Sequence, residues 1–313
     1  MGSYAIGLDF GTNSVRAVVV SCDDGSIVGT GVVDYPSGEA GILLDPRDPH
    51  LARQNPADYL NGLQESVSIA LEDARSTSGF SPDRVIGIGV DTTGSTPMPV
   101  DGQARPLAHD AAWDSNLSAH AWLWKDHTGA EEAAAITAMA REHAPVYLAV
   151  IGATYSSELF WSKIWHCLKA APEVFEAAAS WVELADYIPA VLTGVASPAE
   201  IQRCVCAAGH KAMYSDAWGG LPSKAFLARL DPRLADLRDR LYEKAFPPDR
   251  PAGRLTREWA NALGIPEGTS VAMGGFDAHY GAVGAGVRQG TLVKIIGTST
   301  CDIAIAPDRE ALE

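Results

Sequence analysis

β-Branched and apolar residues recur in short runs near the N-terminus, and this pattern is typical of strands. It predicts strands at Tyr4–Phe10, Ser14–Ser21 and 27–33. Gly25 follows two aspartates between the second and third of these runs, which favours a tight turn. Because the strands follow one another directly, we expect a β-meander.

The spacing of apolar residues then changes to that of a helix. Asn55 and Pro56 suit the N-cap and the first position of a helix. Similar spacing predicts further helices at 130–143, 158–170, 172–180, 183–193 and 255–263. Gly194 is expected to cap the fourth of these at its C-terminus.

Other apolar runs show no polar alternation. Residues 85–90 and 270–275 read as strands buried in the core. Residues 204–208 also read as a strand, and Asp277–Gly284 is predicted to be a helix. Because strands and helices are interleaved along the chain, the sequence predicts an α/β domain.

One short pattern occurs twice, near opposite ends of the chain. Glycine and threonine, at Gly11-Thr12 and Gly297-Thr298, stand between two β-branched runs. Each copy reads as strand, tight turn and strand, with backbone N–H and hydroxyl donors facing outward. Two such turns suggest that the phosphates of a nucleotide are held from both sides of a cleft. The candidate phosphate-binding residues are Gly11, Thr12, Asn13, Ser14, Arg16, Gly297, Thr298 and Ser299.

Composition narrows the class of protein. Of the 313 residues, 47% are apolar and 20% are charged, as expected for a folded globular protein. The formal net charge of −15 argues against nucleic acid or an anionic membrane as a partner. No apolar run reaches the ~18 residues of a membrane-spanning helix, and the N-terminus shows no signal peptide. The expected location is the cytoplasm.

The cysteines and histidines do not indicate a metal site. The five cysteines are scattered, so a disulfide framework is not expected. Cys204 and Cys206 are interpreted as buried thiols in a strand, in preference to metal ligands. His127, His210 and His279 match no zinc-binding spacing, so we assign them to hydrogen bonding or packing.

Two segments carry a resemblance to a known family. Gly7-Leu-Asp9-Phe-Gly11-Thr12 and Gly275-Phe-Asp277-Ala-His-Tyr-Gly281 resemble the phosphate and catalytic motifs of the FGGY carbohydrate kinases. The resemblance implies the α/β fold of actin, hexokinase and the Hsp70 ATPase, which is ribonuclease H-like. It also implies that the protein uses ATP and Mg²⁺. Residues 1–286 would form the N-terminal sugar-binding lobe. Residues 287–313 would form the first hairpin of a nucleotide-binding lobe, and we expect the chain to lack the rest of that lobe and to be inactive alone.

Within that family, three further segments resemble kinases of ketopentoses. They are residues 89–96, 123–127 and 204–213. The resemblance implies phosphorylation of L-ribulose to L-ribulose 5-phosphate in arabinose catabolism, with D-ribulose, xylulose and pentitols as competing substrates. A sugar and ATP are then the expected partners. The sequence leaves open whether the protein forms a homodimer. The alternative is a non-catalytic sugar sensor or assembly module on the same fold.

The resemblance and the residue types together assign the reacting groups. Asp277 is the expected general base that accepts the proton of the attacking hydroxyl, although it could also act as an N-cap. Asp9 is the expected residue for hydrated Mg²⁺, and its alternative role is to accept N–H groups of the turn. Arg16 would contact the transferring phosphate or would be solvated.

The remaining candidates would contact the sugar. Gly94 and Ser95 are small and would leave room for a pentulose, or the glycine serves a tight turn. Trp124 would form an apolar wall or belong to the core, and Asp126 would bind hydroxyls or hold its loop.

Two charged residues complete the predicted sugar site. Lys211 would donate to a sugar oxygen, although a lysine is by default a surface residue. Glu158 would reach the sugar or stabilise the start of the helix predicted at 158–170.

Overall fold

The computed structural model describes residues 2–297 and 300–307. Thr298 and Ser299, both predicted to bind phosphate, lie outside the described residues. The strands are β1 (Tyr4–Phe10), β2 (Ser14–Ser21), β3 (Ile27–Asp34), β4 (Leu43–Asp45), β5 (Asp48–Gln54), β6 (Val85–Thr92), β7 (Pro97–Val100), β8 (Ala121–Trp122), β9 (Ser180–Glu183), β10 (Arg203–Cys204), β11 (Ala245–Phe246), β12 (Pro251–Arg254), β13 (Ser270–Ala272), β14 (Gly275–Phe276), β15 (Leu292–Ile296) and β16 (Thr300–Ala304).

The helices alternate with these strands. They are α1 (Pro56–Ala74), α2 (Ala130–His143), α3 (Phe160–Ala170), α4 (Pro172–Ala177), α5 (Leu184–Leu192), α6 (Val205–Lys211), α7 (Lys224–Leu230), α8 (Pro232–Arg238), α9 (Arg257–Leu263) and α10 (Asp277–Gly284). The Asn55 side chain accepts the Ala57 N–H at the start of α1, which confirms the predicted cap. Among the residues described, none of these helices has the length and apolar content needed to cross a membrane.

The largest sheet places the strands in the order β12, β13, β6, β1, β2, β3, and β14 also pairs with β6. The antiparallel pairs β1–β2 and β2–β3 confirm the predicted meander. β6 runs parallel to β1, and β14 runs parallel to β6. The carboxyl ends of these three parallel strands therefore meet at one edge, which is where ligands bind in sheets of this kind.

Two apolar cores stabilise the chain. The first lies between the large sheet and the helices α1, α5 and α9. The second is rich in aromatic residues, including Trp122, Trp161 and Trp181, and packs α2, α3, α4, α7 and α8 together.

Several predicted boundaries need correction. Residues 204–208 were predicted to be a strand, but only Arg203–Cys204 is extended and α6 follows at once. The predicted strand at 270–275 is two short strands, β13 and β14. The helix predicted at 172–180 ends at Ala177, because Ser180–Glu183 forms strand β9 against β7.

The second glycine-threonine copy forms an antiparallel hairpin, as predicted. β15 and β16 pair with each other in a two-stranded sheet of their own. The hairpin packs on α10. The predicted division of the chain near Gly286, where α10 has ended and φ is positive, stays a prediction.

Candidate active site

Three aspartates stand at the carboxyl ends of neighbouring parallel strands. Asp9 on β1 and Asp91 on β6 are register partners, and Asp91 is also the register partner of Gly275 on β14. Asp277 follows β14 directly and is the first residue of α10. The strand register therefore brings three carboxylates to one edge of the sheet.

These carboxylates line a cavity of about 910 Å³. The cavity is bounded on one side by the loops of the large sheet and on the other by the β15–β16 hairpin. The predicted site residues that line it are Asp9, Thr12, Gly94, Trp124, Glu158, Lys211, Asp277 and Gly297. Thus the structure brings together residues predicted for phosphate, sugar and proton transfer.

The first glycine-threonine turn is closed by its own backbone. The Gly11 N–H donates to the Ser14 carbonyl over 2.9 Å. The Asn13 side chain donates to the Ala40 carbonyl over 2.6 Å, and Ser14 is buried. Neither Asn13 nor Ser14 lines the cavity, so their predicted contact with phosphate is not supported by their placement. Thr12 does line it.

Asp9 and Arg16 form an ion pair across the β1–β2 hairpin, with 2.9 Å between Oδ2 and Nη1. The Asp9 side chain is 35% exposed and that of Arg16 is 55% exposed. Asp9 lines the cavity, whereas Arg16 does not. Mg²⁺ binds through one or two carboxylates and keeps several waters, so a partly exposed Asp9 beside a phosphate turn fits a hydrated ion. Among the described residues, no three His, Cys, Asp or Glu side chains are arranged as a metal-ligand set.

The other two carboxylates have raised pKa values. Burial, followed by the negative charge of Asp9, raises the pKa of Asp91 to about 8. Burial is also the main cause that raises the pKa of Asp277, and the charge of Asp9 adds to it. A carboxylate with a raised pKa is a better proton acceptor, which suits a general base.

The structure also settles how Asp277 relates to its helix. Phe276 is the N-cap residue of α10, and Asp277 is the first helical residue. Its Oδ1 accepts the Ala278 N–H over 2.6 Å. The N-cap alternative for Asp277 is therefore wrong as stated, although its carboxylate does bind one N–H at the start of the helix.

Ser95 lies beneath the cavity and does not line it. Its hydroxyl is fully buried and donates to the Glu183 carboxylate, which also accepts the Thr96 N–H over 2.8 Å. The buried Lys163 ammonium donates to the carbonyl of Ser95 over 2.7 Å. Ser95 thus positions the loop, while its neighbour Gly94 faces the cavity.

Asp126 holds its loop in place, which is the second of its two predicted roles. Its carboxylate is fully buried and pairs with the equally buried Arg53. It also accepts the Ala52 N–H over 2.8 Å and the Thr128 hydroxyl over 2.6 Å. With its oxygens occupied and no face on the cavity, Asp126 is not placed to bind sugar hydroxyls. Trp124, two residues earlier, does line the cavity and donates from Nε1 to the Thr12 hydroxyl over 3.0 Å.

Lys211 and Glu158 line the cavity from elements outside the large sheet. Lys211 is the last residue of α6, and its Nζ lies 5.6 Å from the centre of the Phe276 ring. Glu158 precedes α3, which begins at Phe160, so it does not occupy the first helical turn as predicted. Both side chains remain free to face a ligand.

Several residues that line the cavity were not among the predicted site residues. They include Asp91, Thr93, His210 and His279. Asp91 could have been found, because it stands at the end of a buried run, as Asp9 does. His210 and His279 carried no such signal, since their side chains meet only through the packing of α6 on α10.

Comparison with known proteins gives the family. The model of the N-terminal domain of the FGGY family of carbohydrate kinases matches residues 4–284. A ribulokinase of Vibrio parahaemolyticus is 44% identical over 301 residues, covering 96% of this chain and 52% of the relative. One from Shouchella clausii is 38% identical, covering 100% of this chain and 55% of the relative. The chain spans about half the length of the curated relatives it matches.

A solved structure agrees on the fold. The xylulose kinase of Rhodospirillum rubrum superposes with a TM-score of 0.75 at 24% identity, over 96% of this chain and 55% of that one. This confirms the predicted α/β architecture of the sugar kinases, of which the chain forms the N-terminal lobe. The match over residues 4–284, the relatives and the arrangement of Asp9 and Asp277 at one sheet edge lead to one conclusion: the chain belongs to the FGGY family of carbohydrate kinases.

Proposed function

We propose that this chain forms the sugar-binding part of an ATP-dependent pentulose kinase, with L-ribulose as the preferred substrate and L-ribulose 5-phosphate as the product. The observation that carries the proposal is the position of Asp277. Its partly buried carboxylate faces a cavity that is also lined by Lys211, Trp124 and Thr12 of the first glycine-threonine turn. The similarity to proteins named ribulokinase supports the choice of sugar.

Asp277 would accept the proton of the sugar hydroxyl as that oxygen attacks the γ-phosphoryl group. The transition state of phosphoryl transfer is loose, so catalysis rests mainly on positioning and electrostatics. The loops that carry Gly94 and Trp124 are fixed by buried hydrogen bonds, which keeps the hydroxyl within reach of the carboxylate. Lys211 would donate to a sugar oxygen.

The phosphates would lie between the two glycine-threonine turns. Thr12 and Gly297 line the same cavity from different elements, as the internal repeat predicted. Asp9 would hold the waters of a Mg²⁺ ion, and Arg16 would fix the orientation of the Asp9 carboxylate. The chemistry that bound Mg²⁺ supplies is neutralisation of the charge on the phosphate oxygens.

Replacement of the proposed base gives the first prediction. In the full-length protein that contains these residues, Asp277→Asn should lower ketopentose-dependent ATP consumption on the order of 10²–10⁴-fold, because the hydroxyl proton loses its acceptor. Sugar binding, measured by calorimetry, should change little. Asp236→Asn, at an exposed position of α8, is the matched control and should leave turnover unchanged.

Two results would contradict this assignment. Near-normal turnover in Asp277→Asn would show that another group takes the proton. Sugar binding without any sugar-dependent ATP consumption in the unmodified full-length protein would favour the non-catalytic sensor.

The choice of sugar is tested separately. Among free ketopentoses and pentitols, L-ribulose should give the highest kcat/KM, and Lys211→Met should weaken use of the sugar more than use of ATP. If glycerol or D-xylulose were the best substrate, the choice of sugar would be wrong and the kinase proposal would stand.

A further inference from the structure

A cluster of two cysteines and two histidines lies directly behind the cavity wall. The Sγ atom of Cys206 is 2.9 Å from Nδ1 of His279 and accepts the Phe276 N–H at 3.4 Å. The rings of His279 and His210 stack with 4.2 Å between their centres. Cys204 Sγ accepts the Cys206 N–H at 3.4 Å. Neither a sugar nor a phosphate role explains this arrangement.

The surroundings of Cys206 favour its thiolate form. Its hydrogen bond with Cys204 is the largest cause that lowers the pKa of Cys206, and the His279 ring and the Phe276 N–H act in the same direction. Burial opposes them at Cys206. The hydrogen bond with Cys206, followed by burial, raises the pKa of Cys204. Ionisation is therefore favoured at Cys206 over Cys204.

Other charged or titratable groups face this pair from each neighbouring helix. His210 and Lys211 lie on α6, Asp186 on α5 and Tyr280 on α10. Burial lowers the pKa of His210 to about 4, so its ring is neutral near pH 7. The His279 ring is therefore the group that can share a proton with the Cys206 sulfur through a direct contact.

Cys206 lies beside the cavity without lining it. It is partly exposed, whereas Cys204 is fully buried. His210 and His279 both line the cavity, and Cys206 lies immediately behind the His279 ring. A small uncharged reagent that enters the cavity meets these rings before it meets the sulfur.

We propose that Cys206 is a nucleophilic thiolate, paired with His279, and that it is a modification site for small uncharged electrophiles such as peroxides. With hydrogen peroxide, the sulfur attacks one oxygen, the O–O bond breaks and the sulfur becomes a sulfenic acid. The hydroxide that leaves takes the proton from Nδ1 of His279 and becomes water. The sulfur loses two electrons and the peroxide gains them. The inference does not depend on the proposed sugar substrate.

Modification would disturb the residue next to the proposed base. The Cys206 sulfur binds the Phe276 N–H, and Phe276 immediately precedes Asp277. An added oxygen on this sulfur needs space that Ala185, Ala207 and Phe276 now fill. Oxidation should therefore displace the start of α10.

The test measures how fast each cysteine reacts with iodoacetamide as a function of pH. The folded 313-residue chain is alkylated briefly, and the labelled fraction of each cysteine is read by peptide mass spectrometry. The exposed Cys22 is the reference in the same sample. Between about pH 6 and pH 8 an ordinary thiol gains thiolate roughly 100-fold and reacts faster accordingly, whereas the rate at Cys206 should change by less than about threefold.

Two variants make the test specific to the pair. His279→Ala should slow Cys206 about tenfold or more at pH 6 and restore a rising pH profile. His143→Ala, at an exposed position of α2, should leave the profile flat. At the lower pH, peroxide followed by a sulfenic-acid trap should label Cys206 in preference to Cys22.

The proposal fails if the rate at Cys206 rises with pH in parallel with that at Cys22, or if Cys206 stays unlabelled at every pH. An unchanged flat profile in a folded His279→Ala chain would overturn the role of His279. If that variant does not fold, the pH profile of the unmodified chain still decides whether Cys206 is a thiolate.

Discussion

At the scale of single residues, buried charges fix the loops that shape the cavity. Lys163 has no exposed surface, and its ammonium donates to the carbonyls of Ser95 and Leu123, each over 2.7 Å. Burial lowers the pKa of Lys163 and raises that of Glu183, while each charge opposes this effect on the other. The lysine thereby joins the loop after β6 to the loop that carries Trp124.

Removal of this ammonium group should destabilise the folded chain. Lys163→Met should lower the free energy of unfolding by about 3–5 kcal/mol, because it leaves the carbonyls buried without their donor and removes the positive charge that offsets the buried charge of Glu183. The measurement is urea denaturation followed by tryptophan fluorescence. Lys224→Met is the matched control: Lys224 is 51% exposed and pairs with Asp239, so its loss should cost about 1 kcal/mol or less. Equal losses in the two variants would contradict the proposed role of Lys163.

Prediction from the sequence succeeded where a residue's role depends on strand ends. Asp9, Thr12 and Asp277 follow or close predicted strands, and all of them line the cavity. Ser95 and Asp126 do not line it, because their side chains turn into the protein toward Glu183 and Arg53. For Asp126 this agrees with the second of its predicted roles, which is to hold its loop. The partners of both lie more than 70 residues away in sequence. Local patterns carry no information about such long-range pairs.

At the scale of elements, the segment at 204–208 shows why short runs are ambiguous. Valine, cysteine and alanine in a run of this length fit either a buried strand or a helix. The structure places only Cys204 in a strand, where its N–H donates to the Asp186 carboxylate over 2.8 Å. Its sulfur then accepts the Cys206 N–H at the start of α6. Tertiary contacts thus decided what periodicity could not. By contrast, 19-residue α1 was predictable because its apolar spacing is long and its Asn55 cap is strong.

The contact between α1 and β3 depends on glycine in the strand. A Cβ atom at Gly31 would overlap the Ser66 carbonyl oxygen of α1 and approach Ala70 N to 2.8 Å. We predict that Gly31→Ala lowers the free energy of unfolding by about 1–3 kcal/mol through overpacking. Gly87→Ala in β6 is the control, since the nearest atom to its added Cβ is 3.8 Å away. Thermal unfolding of both variants checks the prediction, and an unchanged stability in Gly31→Ala would refute it.

Glu132 joins α2 to α3 and gives a pH-dependent prediction. Its buried carboxylate binds His166 at 3.2 Å and Lys169 at 3.0 Å. Burial alone would raise the pKa of Glu132, but the hydrogen bonds from His166 and Lys169 lower it to about 2. Because the folded pKa lies below the unfolded one, this stabilisation is present above about pH 4.5 and is lost as the pH falls toward 2.

Glu132→Gln should therefore destabilise the chain by about 1–3 kcal/mol at pH 7, and the difference from the unmodified chain should shrink as the pH falls through this window. Urea unfolding at a series of pH values measures it. Glu131→Gln, at the exposed neighbouring position, should show no such trend. A difference that stayed constant down to the acid limit would mean that the charge of Glu132 is not what stabilises the helix pair.

At the scale of the whole molecule, the cavity lies between two unequal parts. The strand ends of the large sheet, the helices α6 and α10 and the segment 124–159 supply most of the wall, and the β15–β16 hairpin contributes Ile295, Gly297, Thr300 and Cys301. The hairpin is a two-stranded sheet that packs mainly on α10. An isolated hairpin of this kind is marginally stable. The geometry of this part of the cavity wall therefore depends on a small element.

The outer face of this hairpin leads to the last prediction. Leu292 and Ile296 point to the same side of β15 and are 61% and 77% exposed, and Val283 on α10 is 71% exposed. Lys294, between the two β15 residues, is paired with Asp302 over 2.9 Å and so offers little free charge. Exposed apolar side chains beside unpaired strand edges favour association.

We predict that the 313-residue chain self-associates as its concentration rises, and that the double variant Leu292→Lys, Ile296→Lys is monomeric. Sedimentation velocity measures this, with Ile27→Lys on β3 as the control because Ile27 is as exposed as Leu292 but lies on an edge strand of the large sheet, outside the hairpin. A chain that stays monomeric at every concentration, or a control that dissociates it as well as the double variant does, would show that the hairpin face is not the contact.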